Sequence, residues 1–148
     1  MKAVAYSIKP FEKEHLAKAN HKKHDITLIS NPLNLDTVAY AKGKYAVIVT
    51  AEDDVFSPVI EKLAAMGVRF IVTRTLNTAH IDKETASRLG IKISNVPIFI
   101  SENEKDIDEL QRAAYQTIKN LDLWQQNKCV GDACACANSC RTNLNNTK

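Results

Sequence analysis

Glycine occurs only at positions 43, 67, 90 and 131, and the first three each stand between a helical stretch and a short run of apolar, β-branched residues. Glycine readily takes φ > 0 just past a helix C-terminus, so these positions mark three helix-to-strand turns at even spacing. The runs themselves read as strands over Lys2–Ser7, Ile26–Ile29, Tyr45–Thr50, Val68–Thr73 and Ile91–Ser94. Tyr45-Ala-Val-Ile-Val-Thr50 has almost no polar position, as expected of a strand covered on both faces. The segments between read as helices. One opens at Pro10 and runs to about Lys23, with Phe11, Leu16 and Ala19 as its apolar face. A short one capped by Asp36 ends at Gly43. A third starts at Ser57-Pro58, a hydroxyl N-cap with proline at the first helical position, and ends at Gly67. The last starts at Asp82 and ends at Gly90.

Repeated β–α units of this length imply parallel strands, since each helix carries the chain back across the sheet. The expected architecture is α/β, a flavodoxin-like doubly wound parallel sheet of five strands. Beyond Pro97, Ser101-Glu102-Asn103-Glu104 fits a capping box. Ile107, Leu110, Ala114, Ile118, Leu121 and Trp124 then recur at helical steps, a stripe that should dock on the sheet or its helices. After Lys128 the composition shifts to Cys, Ala, Asn, Gly and Thr. Residues 1–128 are therefore assigned to the α/β domain and 129–148 to a flexible Cys-rich tail.

Charge and hydropathy exclude some classes. A net charge of +3 over 148 residues suggests no nucleic-acid surface, and the longest basic cluster, His21-Lys22-Lys23-His24, has no aromatic residue interleaved. No apolar stretch is long enough to cross a membrane. The N-terminal apolar run is interrupted at Ser7 and stopped at Lys9, too short for a signal-peptide core. A cytoplasmic location with reduced thiols is expected.

A family resemblance emerges between Gly67 and Pro97, in Gly67-Val-Arg-Phe-Ile-Val-Thr-Arg-Thr-Leu-Asn-Thr-Ala-His-Ile-Asp82, then Ala86, then Gly90-Ile-Lys-Ile-Ser-Asn-Val-Pro97. This stretch resembles the substrate domain of D-2-hydroxyacid dehydrogenases, the D-lactate dehydrogenase branch in particular, and Met1–Ser7 and Thr50–Asp54 fit the same pattern. Thr117-Ile-Lys-Asn-Leu-Asp-Leu-Trp124 is similar to the helix by which that family returns from its NAD-binding Rossmann domain. The resemblance implies the two halves of one substrate domain joined directly, with the coenzyme domain missing.

In such enzymes an arginine holds a 2-oxoacid while a histidine backed by an acid supplies the proton; arginine and acid lie in the missing domain, and the histidine precedes the returning helix. The histidines here are His15, His21, His24 and His80, so none occupies that place. No two glycines are close enough for a pyrophosphate loop, and no NAD site is expected in this chain. The family's Gly-Thr-Asp is Asn77-Thr78-Ala79 here, and its tyrosine is Phe99. A vestigial substrate site is expected at Arg74, Thr75, Leu76, Asn77, Thr78 and Phe99, with no catalytic residues.

Cys129, Cys134, Cys136 and Cys140 form C-x4-C-x-C-x3-C. Four thiols this close can surround a soft ion, so Zn²⁺, Cu(I) or an iron–sulfur centre is one expectation; an inert tail is the alternative. With no apolar partner foreseen in the tail, packing is not expected of them. His21 and His24 are read as solvated cations near a helix C-terminus rather than metal ligands, Glu52-Asp53-Asp54 as favourable charge ahead of the Ser57 helix, and His80 as structural. The leading functional expectation is a coenzyme-free D-lactate dehydrogenase-like domain, inactive alone, serving as a soft-metal, thiol-redox or interaction module. The alternatives are an oxidoreductase subunit that borrows a coenzyme domain from a partner chain, and a sensor of small 2-hydroxy or 2-oxoacids.

Overall fold

The fold is taken from a computed structural model, which describes residues 1–97 and 107–136. Five parallel strands, β1 (Lys2–Ala5), β2 (Asp25–Leu28), β3 (Ala46–Val49), β4 (Phe70–Thr73) and β5 (Lys92–Ser94), pair in the order β2-β1-β3-β4-β5. This is the doubly wound order expected from the repeat. Alternation along each strand divides the core in two. Val4, Val47, Val49 and Ile71 face α2 (Ser57–Ala65) and α3 (Lys83–Arg88), while Ala3, Ala5, Ile48 and Val72 face α1 (Pro10–Asn20) and α4 (Ile107–Gln125). Along α4, Ala114, Ile118, Leu121 and Trp124 are buried as the stripe required, with the Trp124 ring stacked on Phe70 at 4.7 Å.

Gly67 and Gly90 take φ of +95° and +75° at the turns into β4 and β5, the conformation inferred from their spacing. Several helix ends differ from expectation. α1 stops at Asn20 because His21 and Lys22 both turn left-handed, at φ +47° and +62°. Ser57 lies inside α2 and makes no cap; Phe56 occupies the cap position. The stretch before Gly43 is a 3₁₀ turn at Val38–Ala41 with Thr37, not Asp36, at its cap position and no side-chain cap; Asn34 Oδ1 accepts from the N–H groups of Asp36 and Thr37 in the turn ahead of it. Asp82 caps α3 as anticipated, accepting from the Thr85 N–H.

The segment after α4 corrects the separation of a tail at residue 129. Val130, Ala133 and Cys134 are buried, and the chain lies antiparallel along β5. Asn95 N–H donates to Ala133 O at 2.8 Å, and Ala135 N–H to Ile93 O at 3.0 Å. A β5 left bare would expose unpaired backbone groups to other chains, so residues 129–136 belong with the sheet they cover. Among the described residues no helix is long and apolar enough to cross a membrane.

Candidate functional site

In sheets of this order a ligand crevice opens at the C-terminal ends of β1 and β3, where the winding direction reverses. Here that point is filled by the protein itself. Asp53, 1% exposed, follows β3 and turns its carboxylate into the gap. Oδ1 accepts from Ser7 Oγ at 2.6 Å and Leu33 N–H at 2.8 Å; Oδ2 accepts from Thr50 N–H at 2.7 Å. One side chain thus ties the loops after β1, β2 and β3. Ser7 sits at φ +55° to reach it, a conformation rarely adopted without glycine. The Asp53 charge also adds to burial in raising the Tyr6 phenol well above its usual range, and the Tyr6 hydroxyl donates to Thr37 O. The surface-charge role read for Asp53 is therefore replaced by a buried tie.

Arg74, just past β4, was placed in the substrate loop by sequence. It is 8% exposed and fully engaged within the protein. Nε donates to Glu12 Oε2 at 2.8 Å, Nη1 to Tyr6 O at 3.0 Å, and Nη2 to Ser7 O at 3.1 Å. A guanidinium with its fork already filled by a carboxylate and two carbonyls has no bidentate face left for a substrate acid. Glu12 also accepts from Lys9 N–H at the start of α1, so the pair anchors that helix to the sheet edge.

The loop after Arg74 is held by its own side chains. Thr75 Oγ1 donates to Asn77 O at 2.8 Å, Asn77 Oδ1 accepts from Ala79 N–H at 2.7 Å, and Asn95 Nδ2 donates to Leu76 O at 3.0 Å. His80 Nε2 lies 3.2 Å from Thr73 Oγ1. Burial pushes the imidazole below its usual pKa, with Asp53 opposing, so the ring is neutral and structural near pH 7. Among the described residues, the N–H groups of Leu76, Asn77 and Thr78 donate to no protein acceptor. Thr75, Leu76, Asn77 and Thr78 thus lie together on an exposed turn, while Phe99 lies outside the described residues.

Three of the four cysteines, Cys129, Cys134 and Cys136, lie among the described residues. Cys134 is buried in the core with Trp124 and Ala133. Cys136 Sγ accepts from Ile93 N–H at 3.2 Å, continuing the contacts of the segment with β5. Burial is the main cause pushing its pKa up to about 11, reinforced by the neighbouring Cys134 side chain. Cys129 is exposed, its sulfur accepting from Gly131 N–H; Cys140 lies outside the described residues. Among the described residues no three His, Cys, Asp or Glu side chains are grouped to hold a metal. Packing, discounted from sequence, is what Cys134 does. His24 likewise departs from expectation: it is buried, with Nε2 2.7 Å from Asp122 Oδ1.

Comparison with known proteins agrees with the resemblance. The family described as D-isomer specific 2-hydroxyacid dehydrogenase, catalytic domain, matches residues 3–133. A D-lactate dehydrogenase of Curvularia clavata is 34% identical over 107 residues, which make up 69% of this chain and 31% of that protein. D-lactate dehydrogenase of Escherichia coli is 31% identical over 100 residues; its apo structure superposes with a TM-score of 0.65 over 68% of this chain and 32% of its own. The fold of a D-lactate dehydrogenase from Treponema pallidum, 19% identical, covers 86% of this chain with a TM-score of 0.62, more than residues 1–97 alone supply. The chain spans about a third of the length of these relatives. It carries their catalytic-domain fold, and it belongs to the D-isomer-specific 2-hydroxyacid dehydrogenase family.

Proposed function

We propose that this chain is a catalytically silent form of the substrate-domain fold that works as an interaction module. The observation that carries the reading is the closed crevice: Asp53 fills the gap between β1 and β3, and Arg74 is consumed by Glu12 and two carbonyls. The absence of closely spaced glycines, and of any histidine beyond His80, supports the same conclusion. A soft-metal or thiol-redox role gains no support from Cys134 and Cys136, which are committed to packing and to β5.

What this edge offers instead is apolar surface. Phe11, Leu35, Phe56 and Leu76 are 45%, 49%, 50% and 47% exposed, one on each of the connections that follow β1, β2, β3 and β4. Apolar residues clustered on one edge favour a protein partner. A coenzyme domain carried by a second chain is the partner that would also satisfy the subunit alternative. A sensor of small acids is less well supported, because its natural cation, Arg74, is already paired.

The test uses the isolated chain with NADH and pyruvate, followed by absorbance at the nicotinamide band, and calorimetry with pyruvate or D-lactate. No turnover and no binding heat are expected. Pyruvate reduction by the chain alone would overturn the reading. Reduction that requires an added coenzyme-domain chain, and is lost in Phe56→Ser/Leu76→Ser, would establish the subunit alternative.

A further inference from the structure

The parallel architecture sorts charge toward opposite ends of the molecule. Glu12, Glu52, Asp53, Asp54, Asp82, Asp108 and Glu109 lie at the edge where strands end and helices begin. At the opposite edge, Lys2, Lys22, Lys23, Lys44, Arg69 and Lys92 stand at or just before the strand starts. Among the described residues the acids there are Asp25 and Asp122, and Asp122 is taken by His24 and by Lys23 at 3.2 Å. Lys44 Nζ donates to the Thr27 hydroxyl, and Arg69 Nη1 to its neighbouring Val68 carbonyl. Part of this sorting complements helix C-termini. That accounts for bases in the last turns of helices, not for those that open strands.

This edge is also concave. A depression of about 980 Å³ lined by Lys2, Lys22, Lys23, Tyr45 and one acid, Asp25, adjoins one of about 320 Å³ lined by Arg69, Phe70 and Trp124. Both include Met1 and Tyr45, so they form one groove across the starts of β2, β1, β3 and β4. Tyr45, 59% exposed, stands at its middle. Lys22 on one wall and His21 just before it are both left-handed, at a cost of about 1–2 kcal/mol each. Asn20 fixes that turn by pairing with both the N–H and the carbonyl of His24. Strain that the surroundings hold in place is a feature of binding sites.

We propose that this groove binds single-stranded nucleic acid, with phosphates on Lys2, Lys22, Lys23 and Arg69 and a base stacked on Tyr45. A positive groove with an accessible aromatic ring is the arrangement such strands require. A membrane surface fits less well, because among the described residues Tyr45 is the only exposed large apolar residue that lines the groove and membrane docking needs an apolar face to insert. The small net charge of the chain concealed this edge by averaging it with the acidic one. The inference is independent of the proposed function, which concerns the opposite edge.

Fluorescence anisotropy of the purified chain with a labelled oligothymidylate or oligouridylate of about 12 nucleotides, starting near 20 mM salt, tests it. Binding is expected, with log K falling against log salt at a slope of about −2 to −3, for three or four phosphate contacts at ~0.7 each. Lys22→Glu/Arg69→Glu should weaken binding at least tenfold and flatten the slope. The neutral pair Lys22→Gln/Arg69→Gln should do so in smaller measure, and Lys83→Glu at the other edge should change nothing. Tyr45→Ala should weaken binding about fivefold or more with the slope unchanged, because stacking releases no counterions. Circular dichroism verifies the fold of each variant. The proposal fails if the oligonucleotide does not bind at low salt, or if charge reversal or Tyr45→Ala has no effect. It fails equally if the protein prefers phosphatidylserine vesicles to the oligonucleotide.

Discussion

Two side chains, Asp53 and Arg74, decide what this edge of the sheet can do, and both act by satisfying buried backbone groups. Replacing Asp53 with Ala strands the N–H groups of Leu33 and Thr50 and the Ser7 hydroxyl. Each buried polar group left unpaired costs about 1–3 kcal/mol, so a loss of at least 3 kcal/mol is expected, read from urea unfolding. Asp53→Asn should recover only part of it, because its NH₂ would face a donor. Neither role was visible in sequence: Glu12 and Arg74 are far apart along the chain, and an acid after a strand looks like any solvated loop carboxylate. Cys136 makes a pH prediction at the same scale. Its thiol ionises at about 11 in the folded chain against an ordinary 9.0. Below pH 9 both states hold the proton and stability is unaffected. Between pH 9 and 11 the unfolded chain loses it first, so stability falls with rising pH. Cys136→Ser, which keeps a polar group opposite Ile93 and does not titrate, should show a shallower alkaline loss in urea midpoints at pH 8 and 10.5.

Strands and helices were legible where the chain obeys a period. β3 is apolar throughout because both faces are covered, and the glycines before β3, β4 and β5 mark the turns. Helix starts were less so: Ser57 looks like a cap, yet the chain enters α2 one residue earlier, with Phe56 outside it. The least legible element was the segment 129–136. It has no alternating pattern, its hold on β5 is largely backbone, and its cysteines suggested ligation instead. Packing makes it part of the fold, with a direct consequence for truncation. A chain ending at residue 128 loses Val130, Ala133 and Cys134 from the core beside Trp124 and uncovers β5. Burying such side chains is worth about 1–3 kcal/mol each. Its melting temperature should fall by 10 °C or more relative to a chain ending at 136, roughly the shift for several kcal/mol in a domain this size. Equal melting temperatures would show that the segment adds nothing. Thiol labelling offers a parallel check: at pH 8 in native protein, exposed Cys129 should react well before Cys136, which is half-buried with a raised pKa, and before Cys134, which is buried and should become accessible only on unfolding.

At the scale of the molecule the parallel sheet gives two unlike ends. Every strand finishes at the acidic edge, and there the apolar side chains Phe11, Phe56 and Leu76 stand at helix starts and in the turn after β4, each about half exposed. Core side chains such as Leu121 are instead fully buried between α4 and the sheet. The two classes separate experimentally. Phe11→Ser/Phe56→Ser/Leu76→Ser should leave stability within about 1–2 kcal/mol of the parent, since half-exposed positions surrender little buried area, and should lower the binding of an apolar dye to the native protein. Leu121→Ala alone should cost about 3–5 kcal/mol through the cavity it leaves, with dye binding rising only as the protein unfolds. If the triple variant instead destabilised the fold as Leu121→Ala does, those residues would be core at the sheet edge. The edge would then have no apolar surface to present to a partner, and the interaction reading would fall while the closed crevice stood.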